Sequence, residues 1–420
     1  MVADNIKREL STKIKISYAT LCDLSLLSYF CVMFAHQREN TFDTILRYGI
    51  FLTIVCVYIP IYPPVGRLKR HQKIHISAFE IWFLFVFLYG AASILWSMDA
   101  GNVINVLINL GKTMTVCFLL RPHLNSRKAI KHVLVLLLFA LCYMGLIIVI
   151  RTPFSAWGTE RIGEVINLHS NEIGRLTCLG ALISAYFFSS QKKCRLLLAT
   201  LILLFSLCAF MTGSKNALFI LGFQFGIYFF LISEKRKKFL VIIGIIGAGI
   251  LGYRFVMTNE VLYDLVGNRL ERMLSLFTGG TNVDGSTIER LYFMQTAWML
   301  FKQHFLIGIG MNNFSAYLSS IGYINAVYSH SGFLELLATQ GLLGFLLYYS
   351  LYIKTLKYFI KCKFKDDQLC AVLVAVTLRV FLFDITTISL YTYNSYITLL
   401  LAFCMTKCLE REKVCRGNQN

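Results

Sequence analysis

Charge is what this sequence has least of. Asp, Glu, Lys and Arg together make up 15% of its 420 residues, against 57% apolar ones, and the mean hydropathy is +0.63. So little charge excludes an ordinary water-soluble globule. Apolar runs of about 18 or more residues recur along the whole length, which predicts an all-α, polytopic membrane protein. There is no tandem repeat, no low-complexity tract and no CxxC pair. None of the 13 cysteines falls in the long segment 258–331. That placement argues against an extracellular disulfide framework and against a zinc site. Matching broken spans in the two halves, the mark of an inverted-repeat transporter, are also missing. The first apolar run follows Lys7, Arg8, Lys13 and Lys15 and lacks a small-residue cleavage site. It is expected to be a membrane helix and not a signal peptide.

What is present is a strong excess of cations, 41 Lys and Arg against 22 acids, for a net charge of +19. Placement decides what this means. Spans are expected near 16–35, 45–63, 76–97, 103–120, 132–150, 172–190, 196–212, 216–233, 239–257, 332–353, 367–388 and 391–407, twelve in all, with both termini on one side. The segments on that side, including Lys407 and the tail after it, hold 28 of the 41 basic residues. Basic short loops resist translocation, so that side is expected to be the cytoplasm. The charge is thus a topology signal with attraction to anionic lipid as a by-product. No basic soluble domain exists to carry nucleic acid. The chain divides into nine spans over 1–257, a large extracytoplasmic loop over 258–331, and three spans with a tail over 332–420.

Most loops are short, and long irregular ones are usually functional. Residues 151–171 form one on the outer side, and 258–331 a larger one. Within the latter, STIERLYFMQTAWMLFKQHF over 286–305 opens on Ser286 and Glu289, spaced as a capping box, and continues at helical spacing. A helix lying at the outer membrane interface is expected there, then a glycine turn and a second short helix in LIGIGMNNFSAYL.

Thirteen basic residues fall outside the cytoplasmic segments. A charge at bilayer depth costs at least about 2.5 kcal/mol, so such residues face a polar cavity or a partner. Arg290 is expected in the first turn of its helix, where the helix dipole already supplies positive charge, so the arginine breaks a local rule. A helix N-terminus plus a guanidinium fork suits a diphosphate. The plainer alternative pairs Arg290 with Glu289 or Asp284, or with lipid phosphate. Lys215 in TGSKNAL reads as an interfacial anchor or an anion ligand. Arg175 has Glu172 three residues earlier, the spacing of a helical ion pair. Arg161 shares its loop with Glu160 and Glu164. Arg379 and Lys112 lie deeper and are expected to have partners on other spans. Arg379 and Asp384 are about 140° apart on a helix and make a poor pair.

HSGFLELLATQGLLGF, residues 330–345, sets a histidine at the head of an apolar run with Gly341 and Gly344 inside it. On one continuous helix, Gly341 would sit about 20° and Gly344 about 40° from His330, with the glycines about 16–21 Å below the ring. That predicts a helix-packing anchor and a reactive imidazole on one face. Glu335, about 140° round, orients a polar neighbour or is a tolerated acid.

His-Ser, nine residues, Gly, two residues, Gly resembles the pattern of the O-antigen ligase and Wzy polymerase superfamily. SxxxR at Ser286–Arg290, the aromatic helix after it, GIGMNNF and the TGSKNAL turn resemble that family too, over roughly 160–355. Relatives often carry arginine where Lys215 stands, and lysine lacks the bidentate fork. The resemblance implies glycosyl transfer at the outer leaflet from a glycan on undecaprenyl diphosphate. His330 and Arg290 would be catalytic, and Arg290, Lys215, Arg175 and Arg161 would hold the diphosphate. No metal and no cofactor are implied, and the outer loop has no DxD pair. The partners implied are the lipid-linked donor and acceptor, with a flippase and a chain-length regulator nearby. A polymerase is expected, with a ligase acting on lipid A core or another acceptor as the alternative and a lipid-linked oligosaccharide flippase as a second.

Overall fold

The computed structural model describes residues 18–38, 40–59, 76–156, 162–163, 169–234, 237–260, 263, 267, 271, 285–323, 328–362 and 367–417. Among the described residues there is no strand, and the chain is an all-α, multi-pass membrane protein. Its α-helices are α1 Tyr18–Ala35, α2 Thr41–Tyr58, α3 Ala78–Ala92, α4 Ala100–Leu120, α5 Arg127–Arg151, α6 Ser170–Ser190, α7 Arg195–Met211, α8 Lys215–Ile232, α9 Lys238–Thr258, α10 Gly285–Gln303, α11 Phe314–Ser320, α12 Gly332–Cys362, α13 Gln368–Thr386 and α14 Tyr393–Gly417. Each of the twelve expected spans is a helix. Ten are long and apolar enough to cross a membrane. Of the other two, α7 has only 17 residues, and α14 carries Lys407, Glu410, Arg411, Glu412 and Lys413 in its second half.

Short polar side chains start these helices. Asn40 accepts the Asp43 N–H, Asp99 those of Gly101 and Asn102, Ser126 that of Ala129, Ser214 that of Ala217, and Asp367 those of Leu369 and Cys370. Such caps satisfy N–H groups that helix geometry leaves without partners, and each contributes about 1 kcal/mol.

Cross-helix contacts gather at the two ends of the bundle. At one, Arg127 of α5 binds Asp367 before α13 and, at 2.7 Å, Glu412 of α14, while His132 approaches Asp23 at 2.9 Å. At the other, Asn313 ties the start of α4 through the Asp99 N–H at 2.6 Å, and Asn394 reaches Glu172 at 3.3 Å. The second end carries the site described below. α6 is the enclosed centre, with 83% of its apolar window buried, and α9 is peripheral, with 6%.

One helix departs from the sequence reading. α12 has 31 residues, and at 1.5 Å per residue it is about 46 Å long, well beyond a hydrocarbon core of about 30 Å. It is broken at Gly341, where φ is +63° and ψ −172°. His330 precedes the helix and has a positive φ of its own, 57°. The three residues therefore share no continuous helical face, and the expected anchor-below, imidazole-above geometry does not hold. The break has a different use. Segment 305–310 crosses it and exchanges backbone hydrogen bonds with both halves. The carbonyls of Ala338 and Thr339 accept from Ile309 and Gly310 at 3.0 and 2.9 Å, and the Leu342 and Leu343 N–H groups donate to Phe305 and Leu306 at 2.8 and 3.2 Å. Tyr89 of α3 donates to the Gln340 carbonyl at 2.8 Å. A Cβ on Gly341 would strike the Leu306 carbonyl, and one on Gly308, whose φ is +68°, would strike Thr339. Gly344 is helical and does serve packing, since a Cβ there would lie 2.7 Å from the Tyr89 ring.

The crossing predicts a ranking. Gly341→Ala adds a strain of about 1–3 kcal/mol, for a backbone region that essentially only glycine adopts, to a backbone collision, whereas Gly344→Ala meets only side-chain atoms. In detergent, Gly341→Ala should melt lower than Gly344→Ala. Equal melting temperatures would contradict the exchange of hydrogen bonds at the break.

Candidate active site

The first half of α12 is held upright by α10. Phe293, Ala297 and Leu300 of α10 are buried against Ala338 and the short helix α11. Phe293 is the hub: its ring lies 6.5 Å from Phe314 and 5.5 Å from Tyr323, and stacks on His330 at 6.0 Å with 8° between planes. The Tyr328 ring is 4.5 Å from the imidazole on another side. α10 exposes Ile288, Leu291 and Trp298 on its other flank, as an interfacial helix would. It begins at Gly285, so Arg290 is in its second turn and not its first. The capping role expected of Ser286 lies outside the described side chains.

The turn carrying His330 is fixed from below. Glu335 is 1% exposed and its carboxylate accepts the Ser329 N–H at 2.8 Å. The Ser329 hydroxyl donates to the Ser331 carbonyl at 2.8 Å, and Ser331 reaches the Asp384 carbonyl at 3.4 Å. Glu335 thus orients the loop, one of the two uses its position allowed. Burial, and then the positive charge of Arg290, push His330 down to about 4, so the ring is neutral at pH 7. Tyr328 is raised by burial, with Arg175 and Arg290 opposing. Arg290, itself exposed, is thereby felt by both rings.

Arg175 approaches Tyr328 from the opposite side. It is 7% exposed, on the enclosed helix α6, and forms the ion pair with Glu172 that the spacing predicted. Its Nε and Nη1 are buried and have no hydrogen-bond partner among the described residues. Phe383 lies between Arg175 and Arg379, with the guanidinium carbons 5.1 and 4.7 Å from its centroid. Arg379 has its partner on another span, the Arg175 carbonyl at 3.1 Å, and Asp384 instead holds Ser389 and Tyr349. Arg175 and Tyr328 line a cavity of about 370 Å³ together with Gln37, Asn171, Tyr391 and Tyr393. His169 and Glu172 line it too, whereas His330 and Arg290 do not; Tyr328 links the two sides, lining the cavity while its ring packs against the imidazole.

The other expected ligands are not equally close. Lys215 is the first residue of α8, at the same end of the bundle, and its turn packs against Gly174 beside Arg175, but it does not line the cavity. Arg161 lies outside the described residues. Sequence reasoning missed Tyr328, Phe293 and the capping asparagine Asn313. The aromatic run around 292 and the proximity of Tyr328 to His330 in the chain were the only signals for the first two.

Residues 199–349 match the O-antigen ligase family, Wzy_C. No curated protein matches the chain. The matched segment runs from α7 into α12 and takes in Lys215, Arg290, His330, Gly341 and Gly344, while Arg175 lies before it. The match covers about a third of the chain and supports the O-antigen ligase and Wzy polymerase superfamily, with a ligase- or polymerase-type function in general.

If Glu335 acts by holding the turn, Glu335→Leu should depress activity about as far as His330→Ala, because it leaves the Ser329 N–H buried and unpaired. Glu335→Gln, whose amide oxygen still accepts, should retain most activity. Equal loss in both variants would show that the negative charge matters and the hold on the turn does not.

Proposed function

We propose that the chain is an inverting glycosyltransferase that joins undecaprenyl-diphosphate-linked repeat units into O-antigen or capsular polysaccharide on the extracytoplasmic face of the inner membrane. The observation that carries this reading is that the enclosed Arg175 lines one cavity with Tyr328, whose ring packs 4.5 Å from the His330 imidazole. Arg175 and Arg290 hold the donor diphosphate, with Lys215 and Arg161 assisting from the rim. The acceptor hydroxyl attacks the anomeric carbon and the bond from that carbon to the diphosphate oxygen breaks. Negative charge builds on the leaving diphosphate, where fixed cations lower the barrier. His330 orients the hydroxyl and takes its proton. A ring at about 4 is a weak base; burial is the larger cause and persists, while a diphosphate seated on Arg290 offsets the smaller one, the guanidinium charge, and so shifts the ring toward a stronger base. The reaction needs no divalent ion, because the arginines supply the positive charge. A flippase supplying the donor and a chain-length regulator acting on the product are the natural neighbours. The family match is common to the alternative, a ligase, in which the finished glycan passes to lipid A core or another acceptor.

In cells, His330→Ala, Arg290→Ala and Arg175→Ala should each remove long glycan ladders at normal protein level. A ladder that persists without lipid A core identifies a polymerase, and one that stops at single donors identifies a ligase. Chelator should leave the rate within about twofold; strong inhibition would contradict the arginine mechanism. Because the imidazole is held low, kcat/KM should stay level to about pH 5 and fall only toward 4. Arg290→Gln should move that acid limb upward, and a wild-type inflection at or above 6.5 would show that burial and Arg290 do not hold the ring low.

A further inference from the structure

A second cavity, of about 490 Å³, adjoins the first and shares Gln37, Tyr391 and Tyr393 with it. It lies between α2 and α4, and its cations are Arg47 of α2 and Lys112 of α4. None of its lining residues is an acid. Among the described residues, Arg47 donates to the His36 carbonyl at 3.2 Å and to the Thr44 hydroxyl at 3.0 Å, and Lys112 sits 4.2 Å over the Tyr48 ring. The nearby carboxylate of Asp43 is turned to His36, at 3.1 Å. Two cations in a span region with neutral partners are costly unless an anion joins them. The lining is otherwise aromatic, with Tyr29, Phe51 and Tyr396, and such rings suit sugar faces and hydrocarbon alike. Tyr48 and Asn109 are exposed part-way along α2 and α4, two helices long and apolar enough to cross a membrane, so the mouth lies on the flank of these helices and not at their ends.

We infer that this cavity binds the phosphate or diphosphate headgroup of a second lipid, the acceptor substrate, and presents its sugar through the shared wall of Gln37, Tyr391 and Tyr393 to the His330 side. The inference rests on the glycosyl-transfer reading, because only a two-substrate reaction needs two anionic sites, and it adds where the second substrate sits. The lateral mouth commits it to a lipid-borne phosphate.

The test is native mass spectrometry of the whole protein in zwitterionic nanodiscs, with undecaprenyl diphosphate as the probe. Two bound equivalents are expected for the wild type. Lys112→Gln should bind one, Lys112→Arg two, and Arg175→Gln one. In a turnover assay, Lys112→Gln should raise the acceptor KM by about tenfold or more and leave the donor KM unchanged, the loss expected for one charge-assisted contact. A single equivalent in the wild type that Arg175→Gln abolishes would overturn the second site and leave the proposed function standing. Two equivalents of which Lys112→Gln removes one and Arg175→Gln none would support the second site and sink the first. Occupancy by inorganic diphosphate as tight as by the lipid would overturn the lipid assignment. Arg47→Gln risks the fold because Arg47 braces His36, so Lys112 carries the test.

Discussion

A backbone amide inside a membrane protein must find a partner within the protein, and the break in α12 is where that constraint is hardest to meet. Opening a helix there frees carbonyls above and amides below. Segment 305–310 supplies both complements at once: amides to Ala338 and Thr339, carbonyls to Leu342 and Leu343. Tyr89 answers the Gln340 carbonyl from a separate span. The break thereby welds the large loop to the membrane bundle. Without that weld, only the apolar cluster of Phe293, Ala297 and Leu300 around Ala338 would hold α10 against the first half of α12 and keep under His330 the ring on which it stacks.

The site assembled this way divides its cations by burial. Arg290 is exposed and acts on the imidazole and the Tyr328 phenol through space. Arg175 is enclosed and already holds Glu172, yet keeps two nitrogens for something else. Arg379, though fully buried, spends its visible contacts on the Arg175 carbonyl and the Phe383 ring, so it braces the neighbouring arginine and does not reach the cavity itself. A guanidinium stacked on a ring and tied by its own backbone is preorganised, and preorganised charge is the kind that lowers a barrier without first having to rearrange.

Much of this was legible in the sequence because hydrophobic length and basic loops are strong, local signals. All twelve expected spans are helices. The Arg175–Glu172 pair follows from spacing, and the family's His-to-Gly pattern pointed to His330. The errors share a cause. Treating 330–345 as one ideal helix gave Gly341 and His330 a common face, whereas a non-local segment, 305–310, breaks the helix and gives Gly341 a different purpose. Two glycine-bearing stretches, GIG at 308–310 and GLLG at 341–344, were each visible, but their pairing is a fact of three-dimensional packing. The same is true of Tyr328, which matters only because α6 brings Arg175 beside it.

At the far end of the bundle Arg127 clasps Asp367 and Glu412, binding α5, the start of α13 and α14 into one knot. The opposite end is tied as well, by Asn313 to Asp99 and by Asn394 to Glu172, so the bundle is clamped at both ends and any splay of the helices around the site has to break those bonds first.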